Sequence, residues 1–339
     1  EYEMIYKNFV GGAWIDCSTG KTFENRDPAH TETVIAEFQD SSAIDIDRAV
    51  EHADQAFLTW KNTPAPKRGE ILFRAGEILV RDKECIAKQM TQEMGKTLAE
   101  TRGDVQEAID MAYYAAGEGR RMAGETVPSE LNSKWCMSRR EPIGVIGAIT
   151  PWNFPIAIPS WKAFPALVAG NTMVIKPAED TPLTAIRVAQ IGKGAGIPDG
   201  VLNVLPGYGD VGEALGRHKD VDAVSFTGST EVGGYFLKYS SESNLKPVAL
   251  EMGGKSPFIV LEDAIISDDL IDNAINSAFW NGGQNCSANM RQIVHKKVKD
   301  EFLDKIFKKV KKLKVGDPLD LKSNMGSMIS KGHLKTVDG

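Results

Sequence analysis

The 339-residue chain has an ordinary globular composition, with 42% hydrophobic and 25% charged residues, and its length favours two domains over a single core. The formal net charge of -6 gives no reason to expect nucleic-acid binding. No apolar run approaches the roughly 20 residues that a membrane span needs. We therefore expect a small-molecule partner, and neither nucleic acid nor a membrane.

The cysteines and the first residues of the chain indicate the compartment. Cys17, Cys85, Cys136 and Cys286 are dispersed and match neither a disulfide framework nor a zinc site. Residues 1–14 contain acids and lack the basic-then-apolar pattern of a secretory signal. Both observations predict an intracellular, cytoplasmic protein with no bound metal.

The first part of the chain predicts a hairpin, a helical region and an irregular excursion. Residues 5–10 and 13–15 flank two glycines, as in a hairpin. Helical spacing begins after Ser41 or Ser42, either of which can cap a helix. Further helices are predicted over about 67–81, 83–94 and 98–116. Residues 126–141 are irregular and indicate an excursion such as a hairpin arm.

From residue 143 short apolar strands alternate with helices. Strands are predicted over 143–149, 172–175, 201–205, 221–226 and 247–250, and helices over 160–169, 181–193, 211–217 and 231–239. This alternation predicts an α/β fold in which a parallel sheet carries helices on both faces and binds ligands beyond the carboxyl ends of its strands. A shorter alternation follows, with strands over 257–261 and 292–295 and helices over 268–280 and 300–313, and predicts a second, incomplete α/β unit.

Cys286 lies in a polar, glycine-flanked turn, residues 282–287, after a predicted helix. A nucleophilic cysteine needs exposure and a route to its thiolate. A free cysteine is as often a small buried hydrophobe, so this segment alone leaves both interpretations open. The polar neighbours on both sides favour the nucleophile.

Two further segments follow predicted strands and contain glycines. In residues 250–257 a strand ends with Glu251 and a glycine pair, where a carboxylate can act as a general base or simply lie beside a turn. In residues 225–233 a glycine turn precedes a helix, and its backbone N–H groups favour a phosphate. Because only Gly228 and Gly233 of a dinucleotide fingerprint are present, a helix cap by Thr227 or Ser229 remains the alternative.

Two more segments follow strands of the same sheet. Residues 150–155 form a proline-fixed turn in which Asn153 offers an amide donor, unless the turn is only structural. Lys176 and Glu179 could hold ribose hydroxyls or form an exposed ion pair. Five such turn-like segments, four of them directly after strands of one sheet, are hard to explain by packing alone.

Together these segments resemble the aldehyde dehydrogenase superfamily, from the N-terminal hairpin to the last residue given. The motifs stand in the family's order: TPWNFP, KPAED, FTGSTEVG, LEMGGKSP and GQNCSA. The resemblance implies NAD(P)-dependent oxidation of an aldehyde to a carboxylic acid through a thioester on a cysteine. It implies a Rossmann-like cofactor sheet and a second, catalytic domain.

The resemblance also implies residue roles. Cys286 matches the nucleophile, Glu251 the general base and Asn153 the oxyanion-stabilising amide. Residues that match cofactor-binding positions are Thr150, Pro151, Trp152, Lys176, Glu179, Gly228, Ser229, Gly233, Met252 and Gly253, where Met252 replaces the family's usual leucine. Residues expected to line the substrate path are Phe154, Trp161, Asn285 and Ser287, and the polarity of the last two favours a polar aldehyde or semialdehyde. The Glu179 carboxylate favours NAD, while NADP remains open.

The resemblance further implies a cofactor domain over residues 1–122 and 142–253, an oligomerisation arm over 123–141 and a catalytic domain over 254–339. Family members continue with an E-x-F-G-P segment and a strand that pairs with a neighbouring subunit. We therefore expect an incomplete catalytic domain with weak or no activity alone, and a homodimeric or homotetrameric parent. A non-catalytic nucleotide-binding or interaction module and a coenzyme A-acylating aldehyde dehydrogenase are the alternatives; Glu251, a water-activating base, argues against the latter.

Overall fold

A seven-stranded sheet organises the computed structural model, which describes residues 5–339. Residues 1–4, which belong to the segment used to predict that no signal is present, lie outside the described residues. The strands are β1 (Ile5–Tyr6), β2 (Asn8–Val10), β3 (Ala13–Ile15), β4 (Thr22–Arg26), β5 (Val34–Gln39), β6 (Thr126–Val127), β7 (Cys136–Met137), β8 (Val145–Thr150), β9 (Thr172–Pro177), β10 (Leu202–Val204), β11 (Ala223–Gly228), β12 (Val248–Met252), β13 (Pro257–Val260) and β14 (Arg291–Val294). The helices are α1 (Ala43–Trp60), α2 (Ala65–Met94), α3 (Leu98–Glu118), α4 (Ala157–Val168), α5 (Pro182–Ala195), α6 (Gly209–Arg217), α7 (Thr230–Ser241), α8 (Asp268–Phe279), α9 (Lys299–Val310) and α10 (Lys331–Asp338), with a 3-10 turn over Trp280–Gly283.

The strand order of the large sheet is β12-β11-β8-β9-β10-β2-β3. The strands from β12 to β10 are parallel, and the β2–β3 hairpin extends the sheet in antiparallel fashion. The chain runs outward from β8 to β10 and then crosses to β11 on the other side of β8. This reversal creates a crevice at the carboxyl ends of β8 and β11, the place where open parallel sheets bind ligands.

Helices cover both faces of this sheet, as the sequence predicts. On one face α2, α3, α4 and α5 bury a core that includes Leu72, Ile109 and Phe164. On the other face α1, α6 and α7 bury Ile46 and Phe236 among others. Because β8 and β9 are buried along their whole length, they read as continuous apolar runs rather than alternating ones.

The prediction of two helices over 67–81 and 83–94 is wrong, because α2 is one continuous helix of 30 residues. Residues 81–83, between the two predicted helices, contain neither glycine nor proline. Leu79 and Ile86, two turns apart, are both buried and keep the apolar face in phase. Of the two predicted caps, Ser41 and Ser42, it is Ser42 that caps α1: its hydroxyl accepts from the Ile44 N–H at 3.2 Å.

The sequence did not predict the three-stranded sheet β1-β5-β4. Its strand β4 has Phe23 as its single apolar side chain, which leaves little periodic signal. The predicted N-terminal hairpin forms between β2 and β3, while Ile5–Tyr6 pairs with β5 instead. The predicted arm exists as an antiparallel pairing of β6 with β7.

The second alternation forms a small separate core. Strands β13 and β14 pair in parallel, and α8 and α9 pack over them around Val260, Ile271 and Phe302. The domain boundaries expected at residues 122, 142 and 254 remain a prediction. In the described part of the chain, no helix is both long and apolar enough to cross a membrane.

Candidate active site

Four of the predicted motif segments meet at one edge of the large sheet. Strands β12, β11, β8 and β9 are consecutive neighbours, and their register pairs Thr227 with Glu251 and Thr150 with Pro177. The strands run one or two residues further than predicted. Lys176 and Gly228 therefore belong to the ends of strands rather than to the turns that follow, and Glu251 lies in the strand end as expected.

Cys286 comes to this edge from the small second unit. It is half-buried and follows the 3-10 turn, in which Asn281 and Gly282 have φ values of 61° and 65°. Helix α3 stabilises the left-handed backbone of Asn281, since the Asn281 N–H donates to Glu100 Oε1 at 2.7 Å. The cysteine therefore stands on a fixed turn and not on a free loop.

Burial raises the pKa of the Cys286 thiol, and the negative charge of the nearby Glu251 raises it further. The thiol is therefore mostly protonated at neutral pH. Glu251 itself is exposed at the end of β12. Glu251 is near enough to affect the pKa of the thiol, while the hydrogen bond of Cys286 Sγ goes to Asn285 Oδ1 at 3.8 Å.

Asn153 lies in the turn after β8 and faces the segment that leads to the cysteine. Its Nδ2 donates to the Gln284 carbonyl at 3.0 Å, which leaves the second N–H of the amide for a ligand. Its Oδ1 is buried without a hydrogen-bond partner among the described residues. The Asn153 carbonyl accepts from Lys96 Nζ at 2.8 Å and from Asn281 Nδ2 at 3.1 Å.

Lys162 is a charged group at the site that the sequence reasoning missed. Its Nζ donates to Ser225 Oγ at 2.8 Å, so the side chain reaches from α4 to strand β11. Burial lowers the pKa of Lys162 to about 8, against the opposite effect of the Glu251 charge. A signal was available, because Lys162 is the only charged residue in the otherwise apolar α4.

A cleft of about 510 Å³ lies at the ends of β8, β9 and β11. Of the residues predicted to bind a cofactor, it is lined by Thr150, Pro151, Trp152, Lys176, Glu179, Gly228 and Ser229. Gly233, Met252 and Gly253 are not among the residues that line it. A Cβ at Gly233 would lie 2.5 Å from Met252 Sδ, so this glycine lets α7 pack closely on β12.

The comparisons with known proteins decide the family. The model of the aldehyde dehydrogenase family matches residues 14–339. This chain belongs to the aldehyde dehydrogenase family. The expected superfamily is thereby confirmed, and with it an NAD(P)-dependent oxidoreductase that acts on an aldehyde.

Three similar aldehyde dehydrogenases illustrate the match. The chain is 41% identical to an aminoacetaldehyde dehydrogenase of Pseudomonas aeruginosa, over 99% of this chain and 68% of that protein. A 3,6-anhydro-L-galactose dehydrogenase in complex with NADP is 39% identical and superposes with a TM-score of 0.94, covering 98% of this chain and 69% of that one. The NAD+ complex of an aldehyde dehydrogenase from Bacillus cereus is 36% identical with a TM-score of 0.94, covering 98% and 68%.

Lys176 and Glu179 form an ion pair at the wall of the cleft. Lys176 is 5% exposed, and its Nζ lies 3.2 Å from Glu179 Oε2. Lys176 is thus buried while the Glu179 side chain is 42% exposed, and both interpretations of the pair remain predictions. Burial, and after it the adjacent Glu179 charge, raises the pKa of Asp180 to about 6.

The residues expected along the substrate path differ in their surroundings. Trp161 is partly exposed, and the Phe154 ring lies 4.3 Å from Lys96 Nζ. Asn285 Oδ1 accepts from both the N–H and the hydroxyl of Ser287, at 3.1 and 3.0 Å. These two polar side chains are therefore joined by a hydrogen bond on either side of Cys286.

Proposed function

We propose that this protein oxidises an aldehyde to a carboxylic acid through a thioester on Cys286, with NAD as the favoured cofactor. The observation that carries the proposal is the convergence of three groups at one sheet edge. Cys286 supplies a thiol, Glu251 a carboxylate and Asn153 a hydrogen-bond donor, each from a different segment of the chain. Acyl transfer through a cysteine needs these three functions together.

The residues of the cleft fit a dinucleotide. The Thr150 hydroxyl is buried there and has no hydrogen-bond partner within residues 5–339, so it is available to a ligand. A Cβ at Gly228 would lie 2.6 Å from the Phe226 ring, so no larger residue fits this wall of the cleft. Ser229 caps α7, since its hydroxyl accepts from the Val232 N–H at 3.2 Å, and the other N–H groups of the exposed first turn can face a phosphate. Lys176 and Glu179 would hold the ribose hydroxyls, and the carboxylate disfavours a 2′-phosphate. When bound, NAD(P)+ accepts a hydride from the substrate carbon.

The first chemical task falls to Cys286 and Glu251. Because its pKa is raised, the thiol must lose a proton before it attacks, and the Glu251 carboxylate is the nearby acceptor. The thiolate then adds to the carbonyl carbon, and negative charge develops on the substrate oxygen. The free N–H of the Asn153 amide can donate to that oxygen, an interaction worth roughly 3 kcal/mol in comparable sites.

Glu251 has a second task once the thioester has formed. At its exposed position Glu251 first releases the thiol proton to solvent, and the restored carboxylate then takes a proton from water as that water attacks the thioester carbon. Lys162, which interacts with Glu251 electrostatically, keeps a positive charge beside this carboxylate below about pH 8. Hydrolysis releases the carboxylic acid and restores the thiol.

We propose a small polar aldehyde or semialdehyde as the substrate. The support is the polar pair Asn285 and Ser287 beside Cys286, together with the 41% identity to an aminoacetaldehyde dehydrogenase. A panel of amino-, hydroxy- and carboxy-aldehydes and matched alkyl aldehydes, assayed with NAD and NADP on the complete protein, tests it. Higher kcat/KM for the alkyl compounds would contradict the polar preference.

The decisive experiment on the reaction compares two cysteine variants. Cys286→Ser should abolish NADH formation, because a serine hydroxyl is much less acidic than a thiol and so forms the attacking anion far less readily. Cys85→Ser is the matched control, because Cys85 is exposed and outside the site. Full activity of Cys286→Ser would overturn the assignment. An acyl-coenzyme A product in place of the free acid would show acylation of coenzyme A instead of hydrolysis.

We also propose that residues 123–141 form a contact between subunits of a homodimer or homotetramer in the cytoplasm. The β6–β7 arm exposes large apolar side chains, with Trp135 at 83% and Met137 at 69%. Such a patch favours a protein partner, and the exposed thiols of Cys85 and Cys136 suit a reducing compartment. A Trp135→Ser, Met137→Ser double variant should reduce the mass measured by light scattering. An unchanged mass would exclude the arm as the contact.

A further inference from the structure

A buried ion pair lies directly beneath the proposed active site and makes no contact with the cleft. Helix α2 ends at Gly95, whose φ of 85° turns the chain so that Lys96 points inward. Lys96 Nζ lies 2.6 Å from Asp104 Oδ2, and the two side chains are 1% and 0% exposed. An ammonium group this deeply buried needs a partner for each of its three donors.

The partners of this pair lie on both sides of the same turn. Lys96 Nζ also donates to the Asn153 carbonyl at 2.8 Å and lies 4.3 Å from the centre of the Phe154 ring. Asp104 Oδ1 accepts from the Ala157 N–H at 2.9 Å. The ion pair therefore contacts the chain at residues 153, 154 and 157.

The Asn153 peptide is held from a second direction as well. Asn281 Nδ2 donates to the same Asn153 carbonyl and to the Gln284 carbonyl, at 3.1 and 3.0 Å. Asn153 Nδ2 donates to that Gln284 carbonyl in turn. With two donors on its oxygen the Asn153 peptide plane cannot rotate freely. The direction of its Cα–Cβ bond, and so of the amide, is fixed relative to the turn before Cys286.

We propose that Lys96, paired with Asp104, is a positioning residue that orients the Asn153 amide toward the substrate oxygen; this inference rests on the proposed function. Stability alone is a poor reason for such a pair, because buried ion pairs are often replaced by apolar residues without loss. An oxyanion donor, by contrast, must be aligned before the charge develops. Lys96 touches no reacting atom and acts through the Asn153 backbone.

The test uses a neutral double variant of the complete protein, Lys96→Met with Asp104→Asn, which leaves no unpaired buried charge and keeps an acceptor for the Ala157 N–H. Lys246→Met is the matched control. Lys246 is another buried lysine, 4% exposed, whose Nζ donates to the Gly216 carbonyl at 2.8 Å, away from the site. A second double variant, Lys96→Gln with Asp104→Asn, keeps a neutral donor that can reach the Asn153 carbonyl.

In the Met-containing double variant kcat should fall by about tenfold or more, while KM for NAD should stay nearly unchanged. This loss is smaller than the one expected on removing the Asn153 amide itself. Hydrogen exchange in residues 151–158 should quicken, the Gln-containing variant should recover part of kcat, and Lys246→Met should change neither quantity. Where the Met-containing variant does not fold, an intermediate loss of kcat in the Gln-containing variant supports the inference and a wild-type kcat overturns it.

Other outcomes distinguish a failure of the role proposed for Lys96 from a failure of the proposed aldehyde oxidation. An active protein in which the double variant keeps its kcat, or loses no more than Lys246→Met does, overturns the role of Lys96 and leaves the function intact. A wild-type protein that oxidises no aldehyde refutes the function. Hydrogen exchange still tests the role of Lys96 in that case. Unchanged exchange over residues 151–158 in the double variant would show that Lys96 does not fix this turn.

Discussion

Replacing Asn153 with alanine should separate catalysis from stability. The variant loses the amide donor proposed to stabilise the oxyanion, and removal of one such donor costs roughly 100-fold to 1000-fold in kcat, or about 3–4 kcal/mol. The expected loss in kcat is of that order. KM for NAD should change little, because the Asn153 side chain does not line the cofactor cleft.

The effect of Asn153→Ala on folding follows from its contacts. The variant loses the hydrogen bond to the Gln284 carbonyl, about 1 kcal/mol, but that carbonyl keeps the donor from Asn281 Nδ2 at 3.0 Å. It also removes the buried, unpartnered Oδ1 of Asn153, whose desolvation costs a similar amount. The two terms oppose each other, so the free energy of unfolding should change by no more than about 1 kcal/mol.

Steady-state NADH formation and thermal unfolding measure the two quantities on one sample. Asn153→Asp is the isosteric control: it replaces the donor with an acceptor that faces the Gln284 carbonyl, so it should lower both kcat and the melting temperature. A folded Asn153→Ala variant whose kcat stays within about tenfold of wild type would refute the oxyanion assignment.

Three further predictions concern the charges around the site. Glu251→Gln should lower the pKa of Cys286, because a negative neighbour is removed, so alkylation at pH 7 should quicken while acid formation falls; slower alkylation would contradict this sign. Lys162→Met should abolish a decline of kcat/KM near pH 8, since the wild-type ammonium is charged below that pH and neutral above it; an unchanged pH profile would exclude a role for its charge. Glu179→Gln should raise the kcat/KM ratio of NADP to NAD about tenfold, because a like charge beside the 2′-phosphate is removed, and an unchanged ratio would place the phosphate elsewhere.

The sheet and its motif-bearing edge were predictable from the sequence because their signals are local. Each strand from β8 to β11 is a short apolar run followed by a helix, and parallel strands bring their carboxyl ends to one edge. Strands β4 and β5 were missed because their pairing partners determine them more than their own composition does. Helix α2 was wrongly divided at residue 82, although its buried apolar face continues in phase from Leu79 to Ile86.

The supporting contacts of the site could not be predicted, since they join distant parts of the chain. Lys96 and the Asn153 carbonyl are 57 residues apart, and Glu100 and the Asn281 N–H are 181 apart. Neither spacing has a periodic signature. The left-handed backbone of Asn281 was equally hidden, although asparagine adopts it more readily than most residues.

The three proposed reacting groups come from two separately packed units, so their alignment depends on the contacts that join those units. Asn153 and Glu251 belong to the large sheet, whereas Cys286 follows a turn of the small core. Hydrogen bonds from Asn153 to Gln284 and from Asn281 to Glu100 cross between the units at the level of the backbone. Because carbonyl and N–H groups form one side of each bond, side-chain substitution near Cys286 can change the substrate without moving the nucleophile.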